Sequence, residues 1–289
     1  MKTAYPTVDF RPLEANLSNQ TSVRAAAAEL LSWSDIPTID IVINSAGIML
    51  VPERTLTDEG IELHFATNHI GHFLLTNLIM PKLIKAAEGS PTKGATRIVN
   101  VTSGSPTVAA IRWSDMTFEK VNRDLPQNEQ PNYAFHGLWG VKDLENLSYI
   151  PLEGYHQSKV ANVLFGIGAT KRLYEKYGIL SLAVHPGVIQ TELSRSAVPE
   201  TASAIEQMAA TGVFTYKTLG AGAATSLVGA LDPKLGEDVG KTVDGKENYG
   251  AFLVDCQVSK KARAEAVSSA EAERLWEVSE KLVNETFAW

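Results

Sequence analysis

Apolar and polar positions alternate along the chain with two periods, one typical of buried strands and the other of helices. Short, β-branched apolar runs occur at IDIVINSAG (39–47), ATRIVNVTS (95–103) and ILSLAVHPG (179–187), and each ends in small residues or a Pro-Gly turn. Such runs are typical of parallel strands buried on both faces. TVDFRPL (7–13) predicts a short strand before them, and YGAFLV (249–254) is a further candidate near the C-terminus.

Helical patterns fill the intervals between these runs. The predicted helices are 22–33, 58–87, 155–178, 220–231 and 270–287. In the helix at 58–87, Thr57 or Asp58 is expected to cap the start, and Gly71 and Pro81 are expected to bend the helix. Strands alternating with helices of this length indicate a parallel sheet covered on both faces. We therefore predict an α/β fold, with residues 1–289 forming a single domain.

The ends of the predicted strands are where a site is expected. In open parallel sheets, ligands bind outside the carboxyl ends of the strands. Three such ends are NSAG (44–47), NVTSGS (100–105) and HPGVIQTEL (185–193). Small residues there let backbone approach a flat ligand, although each stretch alone also fits an ordinary tight turn.

Tyr155 and Lys159 are the residues whose spacing first indicates chemistry. They are four positions apart in a predicted helix, so their side chains share one face. A phenol usable as an acid or base at pH 7 needs a pKa shift of about three units, or about 4 kcal/mol, which a nearby ammonium in a dry site can supply. Ser103, at the end of a strand, could donate to a carbonyl or alkoxide oxygen. The same spacing also arises by chance on exposed helices.

Composition excludes several classes of function. The net charge of −7 argues against a nucleic-acid surface, which needs clustered basic residues. Cys256 is the only cysteine, so no intrachain disulfide or thiolate metal cluster can form, and a reducing, cytoplasmic location is expected. We expect neither a signal peptide nor a membrane span. His64, His69 and His72 lack the i, i+4 spacing of a helical zinc pair, so no metal site is expected.

Five motifs in order resemble the short-chain dehydrogenase/reductase family. They are NSAG, FATNHIGHFLLT, RIVNVTSGS, YHQSK and HPGVIQTEL, and the resemblance runs from about residue 7 to the C-terminus. The similarity is specifically to the retinol-dehydrogenase-like and WW-domain-oxidoreductase-like branch. It implies a Rossmann-like, doubly wound parallel sheet and hydride transfer between a nicotinamide cofactor and a carbonyl or alcohol carbon. NADP(H) is the cofactor that this branch favours, with NAD as the alternative.

The resemblance also implies roles for individual residues. Tyr155 would be the general acid/base, Lys159 would hold the nicotinamide ribose and lower the phenol pKa, and Ser103 would polarise the substrate oxygen. Asn68 would hold a water in a proton relay behind Lys159. The implied cofactor contacts are Asn16, Asn44, Tyr155, Lys159, Val188 and Thr191, with Asn16 standing where the family usually has an aspartate.

The chain departs from the family pattern at its start. Gly47 is its first glycine, so no glycine-rich phosphate-binding turn lies upstream. We therefore expect an N-terminally truncated sheet that lacks the family's first two strands. Their absence would expose an apolar edge at 39–45. Either residues 7–13 pair directly with that edge, or the edge is used for self-association into a homo-oligomer.

Two segments are predicted to surround the substrate. Residues 104–153 form an insertion that is either a lid or a merely decorative loop. Residues 192–219 match the family's substrate-covering segment, and their Ala, Val and Met residues favour an apolar substrate. The predicted function is hydride transfer to or from a small apolar secondary metabolite. The alternatives are a non-redox enzyme that uses Tyr155 and Ser103, and a catalytically silent binding protein.

Overall fold

The computed structural model describes residues 5–289, and its centre is a five-stranded sheet. The strands are β1 (Ile41–Asn44), β2 (Arg97–Val101), β3 (Leu180–His185), β6 (Phe252–Val254) and β7 (Gln257–Val258), adjacent in that order. The first four are parallel, whereas β7 returns antiparallel to β6. A separate antiparallel pair consists of β4 (Lys241–Val243) and β5 (Lys246–Tyr249). The predicted parallel sheet is confirmed.

Helices cover both faces of this sheet. They are α1 (Gln20–Ser32), α2 (Leu63–Phe65), a π-helical turn (Ala66–Ile70), α3 (Gly71–Leu78), α4 (Met80–Glu88), α5 (Tyr133–Leu138), α6 (Pro151–Tyr177), α7 (Pro199–Ala210), α8 (Leu219–Leu231) and α9 (Ser269–Val283). One apolar core joins α1, α3, α4, α6 and α9 to one face of the sheet. A smaller core lies under α8 on the opposite face. The doubly wound α/β architecture is therefore confirmed.

The helix α6 is central because it crosses the sheet and has well-defined ends. Pro151 occupies its first turn, where a missing N–H is tolerated. Gly178 ends it in the left-handed region, with φ of 73°, and its N–H reaches the carbonyls of Leu173 and Tyr174. Nearly all residues between Gly154 and Ala169 are buried, because the sheet lies beneath them and α9 above.

The predicted strand at 7–13 does not form. Val8 and Phe10 are 54% and 41% exposed. Arg11 instead pairs with Asp35 at 2.6 Å and stacks on Trp33, so the segment lies near the end of α1. The prediction that residues 7–13 pair with β1 is therefore wrong. Within residues 5–289, β1 has a strand neighbour only on its β2 side, and the alternative of self-association stays a prediction.

The predicted long helix at 58–87 is divided into several pieces. The side chain of Glu62 caps its start by accepting from the N–H of Phe65, because a bridge between Leu56 and Glu62 closes the preceding residues into a turn. The predicted cap at Thr57 or Asp58 is therefore wrong. The predicted interruptions are confirmed. The π-helical turn ends at Gly71, and Pro81 lies in the first turn of α4.

The insertion at 104–153 is ordered by a buried arginine. Arg112 is 4% exposed and donates to Asp115 at 2.6 Å, to Asn122 Oδ1 at 2.7 Å and to the carbonyl of Ser148. These bonds join both ends of a segment that otherwise consists of short 3₁₀ turns and α5. Its role as a lid stays a prediction. Among the residues described, no helix is long and apolar enough to cross a membrane.

Candidate active site

Tyr155 and Lys159 lie near the start of α6, and both are buried against the sheet. Their side chains are on the same helical face, and their residues are 6% and 3% exposed. The Lys159 Nζ atom lies 5.7 Å from the centre of the Tyr155 ring and donates to the carbonyl of Val101 at 2.9 Å. Asn162 donates to the same carbonyl. The Lys159 amine is therefore anchored to the end of β2, within reach of the phenol.

Ser103 follows β2 and lies beside the hydroxyl of Tyr155. Its Oγ is 2.6 Å from Ser105 Oγ and accepts from the N–H of Ser105. If the Ser105 hydroxyl donates in the first contact, the proton of Ser103 is left for a substrate oxygen. Sequence reasoning missed Ser105. The S-G-S repeat at the strand end was the signal that could have indicated it.

Burial shifts the pKa values of the phenol and the amine in opposite directions. Burial raises the pKa of Tyr155 to about 12, although its hydrogen bond with Ser103 opposes the rise. Burial lowers the pKa of Lys159 to about 8. Burial dominates the phenol pKa in this structure, and a lowering of that pKa by Lys159 stays a prediction. The ammonium points at the Val101 carbonyl rather than at the phenol oxygen, so loss of hydration dominates.

Asn68 lies in the π-helical turn and is fully buried. Its amide accepts from the N–H of Ile48 at 2.8 Å and donates to the Ile48 carbonyl and to Ser158 Oγ. A Cβ at Gly47 would lie 3.3 Å from Asn68 Oδ1 and 3.4 Å from Lys159 Nζ, so both side chains face this glycine. The structure thus brings Asn68 close to Lys159. A water relay through them stays a prediction.

The other residues proposed to contact a cofactor differ in burial and in bonding, and their role stays a prediction. Asn44 is buried inside the sheet, where its amide donates to Asn100 and Thr76. This places its side chain between the sheet and α3, where it bonds to protein groups. Val188, just beyond β3, is 38% exposed. Asn16 and Thr191 are exposed, and their side chains make only local bonds here. Asn16 accepts from Ser18, and Thr191 accepts from the N–H of Leu193.

These residues fit only one end of a nicotinamide cofactor. Lys159, Tyr155 and the small residues at Gly47 supply an amine, a phenol and open backbone suited to a ribose and a flat ring. The pyrophosphate end needs a glycine-rich turn leading into a helix N-terminus. Residues 5–40 contain α1 but neither a strand nor a glycine. The cradle for the phosphates is therefore not found among them.

The three histidines weighed for a metal site bond to separate partners. His64 Nδ1 contacts Glu62 at 2.7 Å, a carboxylate pairing that the sequence did not indicate. His69 packs among phenylalanine rings and contacts Ser279 Oγ, and His72 contacts the carbonyl of Asn68. Burial lowers the pKa of His69 to about 3 and that of His72 to about 4. All three serve the packing of the segment from Glu62 to α3.

Comparison with known proteins identifies the family. A family model described as short chain dehydrogenase matches residues 2–115. Over 280 residues the chain is 32% identical to Short-chain dehydrogenase TIC 32 A, chloroplastic, of Brassica napus, covering 96% of this chain and 74% of that protein. It is 33% identical to Retinol dehydrogenase 12 of Mus musculus over 273 residues, covering 93% and 68%.

Solved structures have the same fold. A crystal structure of an uncharacterized protein from Mycobacterium paratuberculosis matches 96% of this chain and 76% of that chain, with a TM-score of 0.54 and 25% identity. A short-chain type dehydrogenase/reductase from Mycobacterium marinum matches 88% and 76%, also with a TM-score of 0.54. The chain therefore belongs to the short-chain dehydrogenase/reductase family of oxidoreductases, in its retinol-dehydrogenase-like branch.

Proposed function

We propose that this protein transfers hydride between NADP(H) and a ketone or secondary alcohol of a small, apolar secondary metabolite. The observation that carries the proposal is the grouping of the Tyr155 phenol, the Ser103 hydroxyl and the Lys159 amine at the carboxyl end of β2. The cytoplasmic location stays a prediction. The Brassica napus relative is named as a chloroplastic protein.

The three side chains divide the work at the substrate oxygen. Ser103 donates to the carbonyl oxygen and stabilises the charge that develops there. Tyr155 gives its proton to the alkoxide as general acid, and a phenol with a pKa of about 12 holds that proton at neutral pH. The cofactor supplies the hydride. Lys159, with a pKa of about 8, is mostly protonated at pH 7 and contributes positive charge beside the phenol.

The surroundings of Tyr155 support an apolar substrate. Leu50, Ile150 and Leu152 form a buried apolar cluster with Tyr155. Aromatic and aliphatic residues from the 104–153 insertion and the 192–219 segment pack against this cluster: Phe135, Trp139, Val141, Leu144, Leu147, Ala197 and Ile205. The names of several relatives state retinol, an apolar alcohol, as their substrate. We propose NADP rather than NAD because the retinol-dehydrogenase-like branch favours NADP.

The test is a combined binding and turnover measurement. The protein is titrated with NADPH by fluorescence, then assayed for NADPH oxidation with a panel of apolar ketones. Tyr155→Phe should lower turnover by about 10²–10⁴-fold, the usual contribution of a general acid. NADPH binding should weaken far less, because Lys159 and the backbone at Gly47 still face the cofactor. Tyr174→Phe is the matched control, since Tyr174 lies in the same helix but bonds to the distant Gly236 carbonyl. Failure to bind millimolar NADPH would refute redox activity for this chain.

A second candidate is a family member that has kept the pocket without hydride chemistry. The contact between Tyr155 and Ser103 supports it, since proton transfer at that site needs no nicotinamide. Such a protein would use Tyr155 and Ser103 for proton transfer alone, or would only bind ligands. Substrate turnover without any nicotinamide, abolished by Tyr155→Phe, would support the first form. Ligand or partner binding that survives replacement of both Tyr155 and Lys159 would support the second.

A further inference from the structure

A second cluster of ionisable side chains lies where the insertion meets α6. His136, in the last turn of α5, contacts Glu153 Oε1 through its Nε2 atom. His156, one helical turn after Glu153, places its Nδ1 atom 3.5 Å from the same oxygen. One ligand atom from each residue lies within 4.8 Å of the others. The two histidine side chains are 0% and 5% exposed, and that of Glu153 is 13% exposed.

The chemistry of these three groups matches that of a transition-metal site. Two imidazoles and one carboxylate are a common set of protein ligands for zinc, which leaves the fourth position to water. Ligands about 2.1 Å from a tetrahedral zinc ion are about 3.4 Å from each other. The separation of His156 Nδ1 from Glu153 Oε1, 3.5 Å, already has that value. His136 Nε2 lies closer to the oxygen and would move away from it when both bind the ion.

An unsatisfied buried atom also points into this cluster. His156 Nδ1 is buried, and its 3.5 Å contact with Glu153 Oε1 is too long for a well-formed hydrogen bond. Leaving a buried polar atom unpaired is unfavourable, and coordination to an ion would satisfy it. The rings of His136 and His156 lie 5.6 Å apart, with Phe135 beside both, so the surroundings exclude bulk water.

We propose that His136, Glu153 and His156 bind a divalent transition-metal ion, with Zn²⁺ as the preferred occupant. The ion fastens the insertion to the first turns of α6, directly beside Tyr155. Its role is structural, since the ligands hold together two segments that are 17 residues apart in sequence. The site is distinct from His64, His69 and His72, and it does not depend on the proposed reaction.

The direct test measures metal binding by untagged protein. The protein is exposed to Zn²⁺, dialysed against a weak chelator, and analysed for bound metal by mass spectrometry. Wild type should retain one ion per chain. His136→Gln and Glu153→Gln should weaken binding by more than the about 10–100-fold that loss of an outer-shell partner causes. His185→Gln is the matched control, because His185 is the last residue of β3 and lies outside the cluster, and it should bind as wild type does.

A measurement on wild type alone guards against variants that fail to fold. Co²⁺ bound at this site should give the intense visible bands of a four-coordinate ion, and Zn²⁺ should displace it. Zn²⁺ should also slow proteolysis within residues 124–150 of wild type, because the ion ties that segment to α6. Weak, six-coordinate cobalt bands overturn the proposal. So does a wild-type zinc content no higher than that of Glu153→Gln.

Discussion

At the scale of single residues, burial governs the ionisation of the site. Tyr155 and Lys159 are both removed from water, which disfavours the charged form of each. The phenol pKa therefore rises while the amine pKa falls, and the two groups reach about 12 and about 8. The helical spacing predicts that the two residues share a face. It does not predict where the amine points, because the Val101 carbonyl belongs to a strand 58 positions away.

Lys159 makes stability depend on pH in a definite direction. Its pKa in the folded chain, about 8, is below the value of 10.5 expected when unfolded. Between these values the unfolded chain binds more protons, so stability relative to Lys159→Met should rise as pH increases from about 8 to 10. Urea unfolding of both proteins at several pH values measures this. A difference that stays constant from pH 7 to 10 would mean that the amine is not desolvated.

The phenol of Tyr155 should remain protonated well above neutral pH. NMR of ring-labelled tyrosine, with Tyr155→Phe to assign the signal, should show no titration of this residue below about pH 10. Ser103→Ala should raise its pKa further, because the serine hydrogen bond favours the phenolate. A Tyr155 signal that titrates near pH 7 in the protein alone would contradict the dominance of burial.

At the scale of elements, the buried strands were the easiest to predict. The apolar runs of β2 and β3 reflect burial on both faces, whereas β1 is only partly buried, and all three strands lie inside the predicted segments. The run at 7–13 has a similar local pattern but no neighbouring strand, and strand formation depends on a partner that local sequence cannot supply. Likewise, Ser103, Tyr155 and Lys159 belong to ordered motifs. The approach of His136 to Glu153 depends on how the insertion folds, which no spacing rule gives.

Gly71 joins two elements through a very close approach. A Cβ at this position would lie 2.3 Å from the carbonyl oxygen of Leu17, just before α1. The start of α3 and this segment would therefore have to separate. Gly71→Ala should therefore destabilise the fold by about 1–3 kcal/mol or more, as overpacking does. Gly220→Ala is the matched control, since nothing lies within 4 Å of its Cβ and helix propensity should favour alanine. Urea denaturation of both variants tests this, and equal stabilities would contradict it.

At the scale of the whole molecule, the outer edge of β1 leaves backbone N–H and C=O groups without a strand partner among residues 5–289. Within residues 5–289 this strand has one strand neighbour, and Ile43 is 44% exposed. An open strand edge next to apolar side chains favours pairing with another chain. Residues 7–13, which were one predicted partner for this edge, do not form a strand. We expect self-association through β1 to satisfy its outer backbone groups.

Sedimentation velocity over a range of protein concentrations tests this edge. Wild type should associate as concentration rises, and Ile43→Lys should weaken association, because a charge at the strand edge opposes pairing and burial. Val213→Lys is the matched control, since Val213 is 61% exposed but lies in the segment after α7, away from β1. It should associate as wild type does. A monomer at every concentration, or equal losses in the two variants, would show that β1 does not mediate association.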